Sequence, residues 1–144
     1  MPITGSLTEQ NLQQLKAAIA SAEEKTSGEI RLYIEEECEA DVMDRAAFIF
    51  EKLKMHETEL RNGVLLYVAF GYKKFAIIGD AGIHQKVGEE FWRSVKQKIV
   101  VAFKEGNYVD GLTIAIQDTG EVLSKFFPPI ANDKNELPND IVIG

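Results

Sequence analysis

Residues 62–80 read NGVLLYVAFGYKKFAIIGD, and this stretch decides the fold. Residues 63–69 form a nearly continuous apolar run bounded by turn residues, as expected of a central strand covered on both faces. Gly71-Tyr72-Lys73 is a tight connection, and KFAIIGD returns at once, so the two runs pair as an antiparallel hairpin. The second strand then ends beside the beginning of the first. Asp80 is therefore expected near Arg61 and Asn62.

Upstream, GEIRLYIEEE alternates Ile30, Leu32 and Ile34 with Glu29, Arg31 and Tyr33, the period of a strand over about 29–36. Between the two strands, Ala46, Ala47, Phe50 and Leu53 mark a short apolar helix over about 42–54, with Asp41 placed to cap it. Strand, helix, strand makes a right-handed parallel crossover. Ser6 with Glu9 reads as a capping box opening a first helix over about 7–25, with Leu12, Leu15, Ile19 and Ala22 on one stripe.

Downstream, Val87, Phe91, Val95, Ile99 and Phe103 repeat every four residues in a long helix that starts from Lys86 and ends at Gly106-Asn107. Phe91 and Trp92 point about 100° apart on that helix, so one of them can border a cleft; the structural alternative is that a helix packed between the sheet and a neighbouring helix buries both. A last helix carries Leu112, Ala115, Ile116, Thr119 and Leu123 until Pro128-Pro129 stops it. The expected fold is α/β, an α/β/α sandwich of about four helices on a small mixed sheet. Residues 1–127 make the domain and 128–144 an extended or flexible tail.

The 144 residues are 45% hydrophobic and 27% charged, a mixture that suits one globular core. A net charge of −7 argues against affinity for nucleic-acid phosphates or anionic membranes and points to cations as partners. The excess is local, because residues 35–44 (EEECEADVMD) hold six acids and no base. Cys38 is the single cysteine, which excludes an internal disulfide and a Cys-based zinc cluster. Its acidic neighbours oppose a reactive thiolate. No stretch approaches a membrane span and MPITGSLTEQ lacks a signal-peptide pattern, so a cytoplasmic protein is expected. There is no G-x-S-x-G elbow, no P-loop and no GxGxxG.

Two places carry candidate chemistry. At the Arg61 end of the hairpin, the loops His56-Glu57-Thr58-Glu59 and Asp80-Ala81-Gly82-Ile83-His84 hold both histidines of the chain. There Asp80 could serve as oxygen ligand, Arg61 as bidentate anion clamp, and His56 or His84 as proton donor. The structural alternative is that Asp80 pairs with Arg61 and the histidines are turn residues. At the other end, Glu35, Glu37, Asp41 and Asp44 supply oxygens for a Ca²⁺ ion, with waters and carbonyls completing its shell. The spacing matches no EF-hand, and a solvated acidic loop is the alternative there.

The segments LTEQNLQQLKAAIASAEEKTSGEI, LKMHETELRNGVLLYVAFGYKKFAIIGDAGIHQKVGEEFW and FKEGNYVDGLTIAIQDTGEVLSKFFP resemble the TPM domain, shared by thylakoid-lumen photosystem II repair proteins and many bacterial proteins. The likeness spans about residues 7–128 and is most specific at M-H-x-T-x-x-R-N-G-V-L-L-Y-V-A followed by F-A-I-I-G-D-x-G-I-H, which looks like a short, soluble bacterial branch. The resemblance implies a Rossmann-like α/β/α sandwich, divalent-cation binding, and the acid-phosphatase activity proposed for the plant relatives. The branch motif falls on His56, Thr58, Arg61 and Asn62, and on Asp80, Gly82, Ile83 and His84.

The leading expectation is a divalent-cation-binding protein, for Ca²⁺ or Mg²⁺, with phosphatase activity weak or absent. A metal-assisted acid phosphatase is the enzymatic alternative, with Arg61 holding the phosphate and His56 or His84 protonating the leaving group. A protein-interaction module using the edge of the first strand or the Pro-rich tail is a third.

Overall fold

The computed structural model describes residues 7–129 and 141–143. Its order is α1 (Glu9–Glu23), β1 (Glu29–Glu35), α2 (Val42–Lys52), β2 (Gly63–Ala69), β3 (Lys74–Gly79), α3 (Ala81–His84), α4 (Glu89–Lys104), α5 (Tyr108–Phe126) and β4 (Val142–Ile143). The sheet order is β3-β2-β1-β4. β1 runs parallel to β2 from Glu29 opposite Gly63 to Glu35 opposite Ala69. β2 and β3 form the expected antiparallel hairpin, from Val64 opposite Gly79 to Ala69 opposite Lys74. The mixed sheet follows from connection length: a helix separates the parallel pair, whereas a single 3-10 turn, Phe70–Tyr72, joins the antiparallel one.

All seven residues of β2 are buried. One sheet face, with Ile30, Leu32, Ile34, Val64, Leu66 and Val68, packs under α1, α4 and α5. The other, with Tyr33, Leu65, Tyr67, Ala69 and Ala76, packs under α2. Each fully buried Leu or Val contributes roughly 1.5–3 kcal/mol relative to exposure, so a strand covered on both faces is the natural centre of the core.

Four details depart from the sequence reading. Ser6 lies outside the described residues, and the box that caps α1 is formed by Thr8 and Asn11: the Thr8 hydroxyl accepts from Asn11 N at 3.1 Å and the Asn11 amide oxygen accepts from Thr8 N at 3.0 Å. α2 ends at Lys52, two residues early, because Lys54 takes a left-handed φ of 59°. The helix expected from Lys86 starts at Glu89, after Gly88 with an extended ψ of 161°, and the loop expected at residues 80–84 is the single helical turn α3, capped by Asp80. Finally, Val142 and Ile143 pair in parallel with Tyr33 and Ile34, so the second half of β1 is no longer an edge. The β1 edge expected to serve a protein partner is thus paired at Tyr33 and Ile34. A two-residue strand carries too little periodicity to be read from sequence.

Helix-to-helix contact across the α1–α5 seam is close. A Cβ on Gly120 would lie 2.6 Å from the Ala22 Cβ, so only hydrogen fits there. The α5 terminus is tied to the start of β1, as the Phe127 carbonyl accepts from Ser27 N at 2.8 Å and from the Thr26 hydroxyl.

Candidate functional site

At the Arg61 end, hairpin geometry brings the two halves of the motif together. Arg61 Nε and Nη2 donate to the two Asp80 carboxylate oxygens at 2.7 and 2.8 Å. Asp80 also accepts from Ala81 N at 2.7 Å, so it caps α3 while it pairs with Arg61. Burial pushes the Asp80 carboxyl up, but the Arg61 and Ala81 hydrogen bonds and the positive charges of Arg61 and His56 outweigh it and hold the group below its ordinary value.

The backbone is built around this pair. Arg61 adopts a left-handed φ of 52°, stabilised by Arg61 N donating to Thr58 O at 3.2 Å and Gly82 N donating to Arg61 O at 2.9 Å. Gly82 is required because any Cβ there would collide with the Leu60 and Arg61 carbonyls. Thr58 is buried and its hydroxyl accepts from Asn62 N at 3.1 Å.

The predicted oxygen ligand and the predicted anion clamp thus satisfy one another. His56 is half-buried with Nε2 3.7 Å from Glu57. Its Nδ1 is buried with no hydrogen-bond partner among the described residues. His84 is exposed and faces a different feature, a cleft of about 670 Å³ that it shares with Trp92. Of the two rings considered in sequence, Trp92 is the one that borders this cleft.

At the acidic end, the carboxylates divide into two groups. Glu35 is buried and accepts from Arg45 Nε and Nη2, both at 2.8 Å, and from the Tyr67 hydroxyl. The Arg45 hydrogen bonds hold the Glu35 carboxyl below its ordinary value against the opposing effect of burial, with Tyr67 helping. Burial and the hydrogen bond to Glu35 push the Tyr67 hydroxyl well above its ordinary value. Asp41 caps α2, accepting from Met43 N at 2.9 Å and Asp44 N at 3.1 Å, with both bonds on Oδ1.

Glu37, Glu39 and Asp44 are exposed, and among the described residues none has an ion pair. The field of Glu37 and Glu39 reaches the β2–β3 turn: after burial, these two carboxylates are the main causes that push the Tyr72 phenol up. Among the described residues no three His, Cys, Asp or Glu side chains converge as a metal-holding group.

Sequence reasoning missed Arg45 and Tyr67 as the partners of Glu35. Two signals were present: Arg45 is the first base after the acidic run, and the parallel register puts Tyr33, Glu35, Tyr67 and Ala69 on one sheet face.

A four-stranded mixed sheet with one helix on one face and three on the other, carrying this paired Arg–Asp turn, defines a small α/β sandwich of the Rossmann-like class. The chain belongs to the TPM domain family, whose model matches residues 3–122. It is similar to the BA42 protein from the psychrophilic bacterium Bizionia argentinensis, at 44% identity over 99% of both chains with a TM-score of 0.91. The N-terminal domain of a protein from P. gingivalis has the same fold at 16% identity, with a TM-score of 0.70 over 85% of this chain and 80% of that one. So does the N-terminal domain of the cg2496 protein from Corynebacterium glutamicum, at 9% identity and a TM-score of 0.66 over 96% and 82%. No curated protein matches the chain. Among the described residues no helix is long and apolar enough to cross a membrane.

Proposed function

We propose that this chain is a divalent-cation-binding TPM domain whose site is the acidic end of the sheet, at Glu37, Glu39, Asp41 and Asp44. The observation that carries this reading is that Glu37, Glu39 and Asp44 are exposed and hold no ion pair among the described residues, the nearby Lys74 Nζ donating instead to the Cys38 carbonyl at 3.4 Å. Glu35 leaves the ligand set, because Arg45 and Tyr67 occupy both of its oxygens. Asp41 keeps Oδ2, since both capping bonds fall on Oδ1.

The donor set is all oxygen, which suits Ca²⁺ or Mg²⁺ over softer metals. With no three acidic side chains gathered on one point, one or two carboxylates would hold the ion and water would fill the other positions. Placement at the carboxyl ends of β1 and β2 agrees with where open α/β sheets commonly hold ligands. The Arg61–Asp80 pair is closed on itself, so phosphatase activity is expected to be weak or absent.

The test is a residue-resolved NMR titration with Ca²⁺ and, separately, Mg²⁺. Saturable shifts at residues 36–44 and at Tyr72, lost in a Glu37→Gln/Glu39→Gln variant, support the site. Non-saturable shifts spread over all surface acids would overturn it. Shifts confined to 56–62 and 80–86 would move the site to the Arg61 end, where metal-dependent hydrolysis of an aryl phosphate would become the next assay.

A further inference from the structure

We infer that the open edge of the sheet is a docking groove for an extended, acidic peptide segment of a partner protein, which pairs with β3 as an added strand. Among the described strands, β3 is the terminal one on its side of the sheet. Asp80 stands opposite Gly63 in register and donates to its carbonyl at 2.9 Å, which sets the parity of the ladder. In an antiparallel pair alternate residues bond. Lys74, Ala76 and Ile78 therefore turn their backbone polar groups to β2, and Phe75, Ile77 and Gly79 turn theirs to the open side. A strand edge of this kind is a template for another chain.

The edge is not a bare rim, because helices on the two sheet faces overhang it and enclose the cleft of about 670 Å³. Met43 and Ala47 of α2 line one wall, and Trp92, Arg93 and Lys96 of α4 line the other, with Ile77, Ile78 and Gly79 along the strand. Trp92 is 9% exposed, and its Nε1 is buried with no acceptor among the described residues.

The occupant's chemistry follows from the walls. Consecutive residues of an added strand point to opposite faces. One set would meet Met43 and Ala47, which are apolar. The alternate set would meet Arg93 and Lys96, with exposed His84 beside them and Glu89 the single lining carboxylate. Lys96 has no ion pair among the described residues, and Arg93 holds only an exposed contact of 3.3 Å to Glu90. In a chain of net charge −7, this basic wall selects carboxylates. The fitting segment alternates apolar and acidic residues.

The probe is a short capped peptide of alternating valine and glutamate, titrated into the full chain and followed by NMR. Saturable shifts of the Phe75, Ile77 and Gly79 amides and of the Trp92 indole N–H are expected. Lys96→Glu, on the helix surface, should weaken binding about fivefold or more, and a valine–lysine peptide should bind about tenfold more weakly. Ile77→Pro, which removes an outward N–H, should abolish binding. Should that variant unfold, Lys96→Glu and the valine–lysine peptide decide the matter. Absence of saturable shifts, equal binding of both peptides, or indifference to Lys96→Glu would overturn the inference. Dilution-dependent shifts of the same amides without peptide would overturn it too, by showing a second copy on the edge.

Discussion

Arg61 and Asp80, on opposite sides of the β2–β3 hairpin, share two hydrogen bonds of 2.7 and 2.8 Å, and the same Asp80 carboxylate starts α3. One buried side chain thus ties the open end of the hairpin together and orders the next helix. Asp80→Ala removes both roles and should destabilise the domain by about 1–2 kcal/mol, the range for a lost cap. Asp80→Asn keeps a capping oxygen and should lose less. Urea unfolding of both variants, read by far-UV circular dichroism, checks the order.

The Glu35–Arg45–Tyr67 triad holds α2 on its sheet face. Tyr67→Phe removes one hydrogen bond to a buried carboxylate that Arg45 still neutralises, so a loss of about 1–2 kcal/mol is expected. Arg45→Met should cost more, because it leaves Glu35 buried without a counter-charge. Thermal melts of the single and double variants would give the coupling between the two bonds.

Both carboxyls set the acid limit of the fold. The folded-state values of Asp80 and Glu35 lie below their ordinary values of 3.8 and 4.5. A depressed carboxyl contributes stability that is full above the ordinary value and lost as pH falls below it through the lower folded value. Stability should hold through neutral pH and decline on acidification below about pH 4.5. In Glu35→Gln the part of that decline belonging to Glu35 should vanish, which a pH series of unfolding curves would show.

Tyr72 offers a direct readout of the acidic loop. Glu37 and Glu39 push its phenol above 10.0, after the larger effect of burial. Neutralising them by Glu37→Gln/Glu39→Gln should bring the phenol down, and a bound divalent cation should act in the same direction. Phenolate absorbance against pH, with and without Ca²⁺, measures both.

The α1–α5 seam tolerates no added volume. Gly120→Val would press on Ala22 and should cost about 1–3 kcal/mol without altering the sheet end. Denaturant midpoints for this variant and for Gly120→Ala, which demands a smaller shift, should rank in that order.

Local chemistry was legible in the sequence wherever neighbours in the chain decide the outcome. Apolar continuity marked Gly63–Ala69 as a doubly covered strand, the short Gly71-Tyr72-Lys73 link dictated an antiparallel return, and from those two facts alone Asp80 had to lie near Arg61. Asp41 as a cap and Pro128-Pro129 as a stop follow from backbone hydrogen bonding over a few residues. What the tertiary structure decided is how side chains distant in sequence satisfy one another. Glu35 reads as one acid among six until α2 lays Arg45 across it and the parallel register sets Tyr67 beside it. His84 reads as a companion of His56 until α3 turns it to the cleft with Trp92. β4, a pairing of two residues across more than a hundred positions of chain, covers Tyr33 and Ile34 of β1, and β3 ends the described sheet on the other side. Such pairings depend on three-dimensional register and on which polar groups burial forces to find partners, and neither quantity is written in local periodicity.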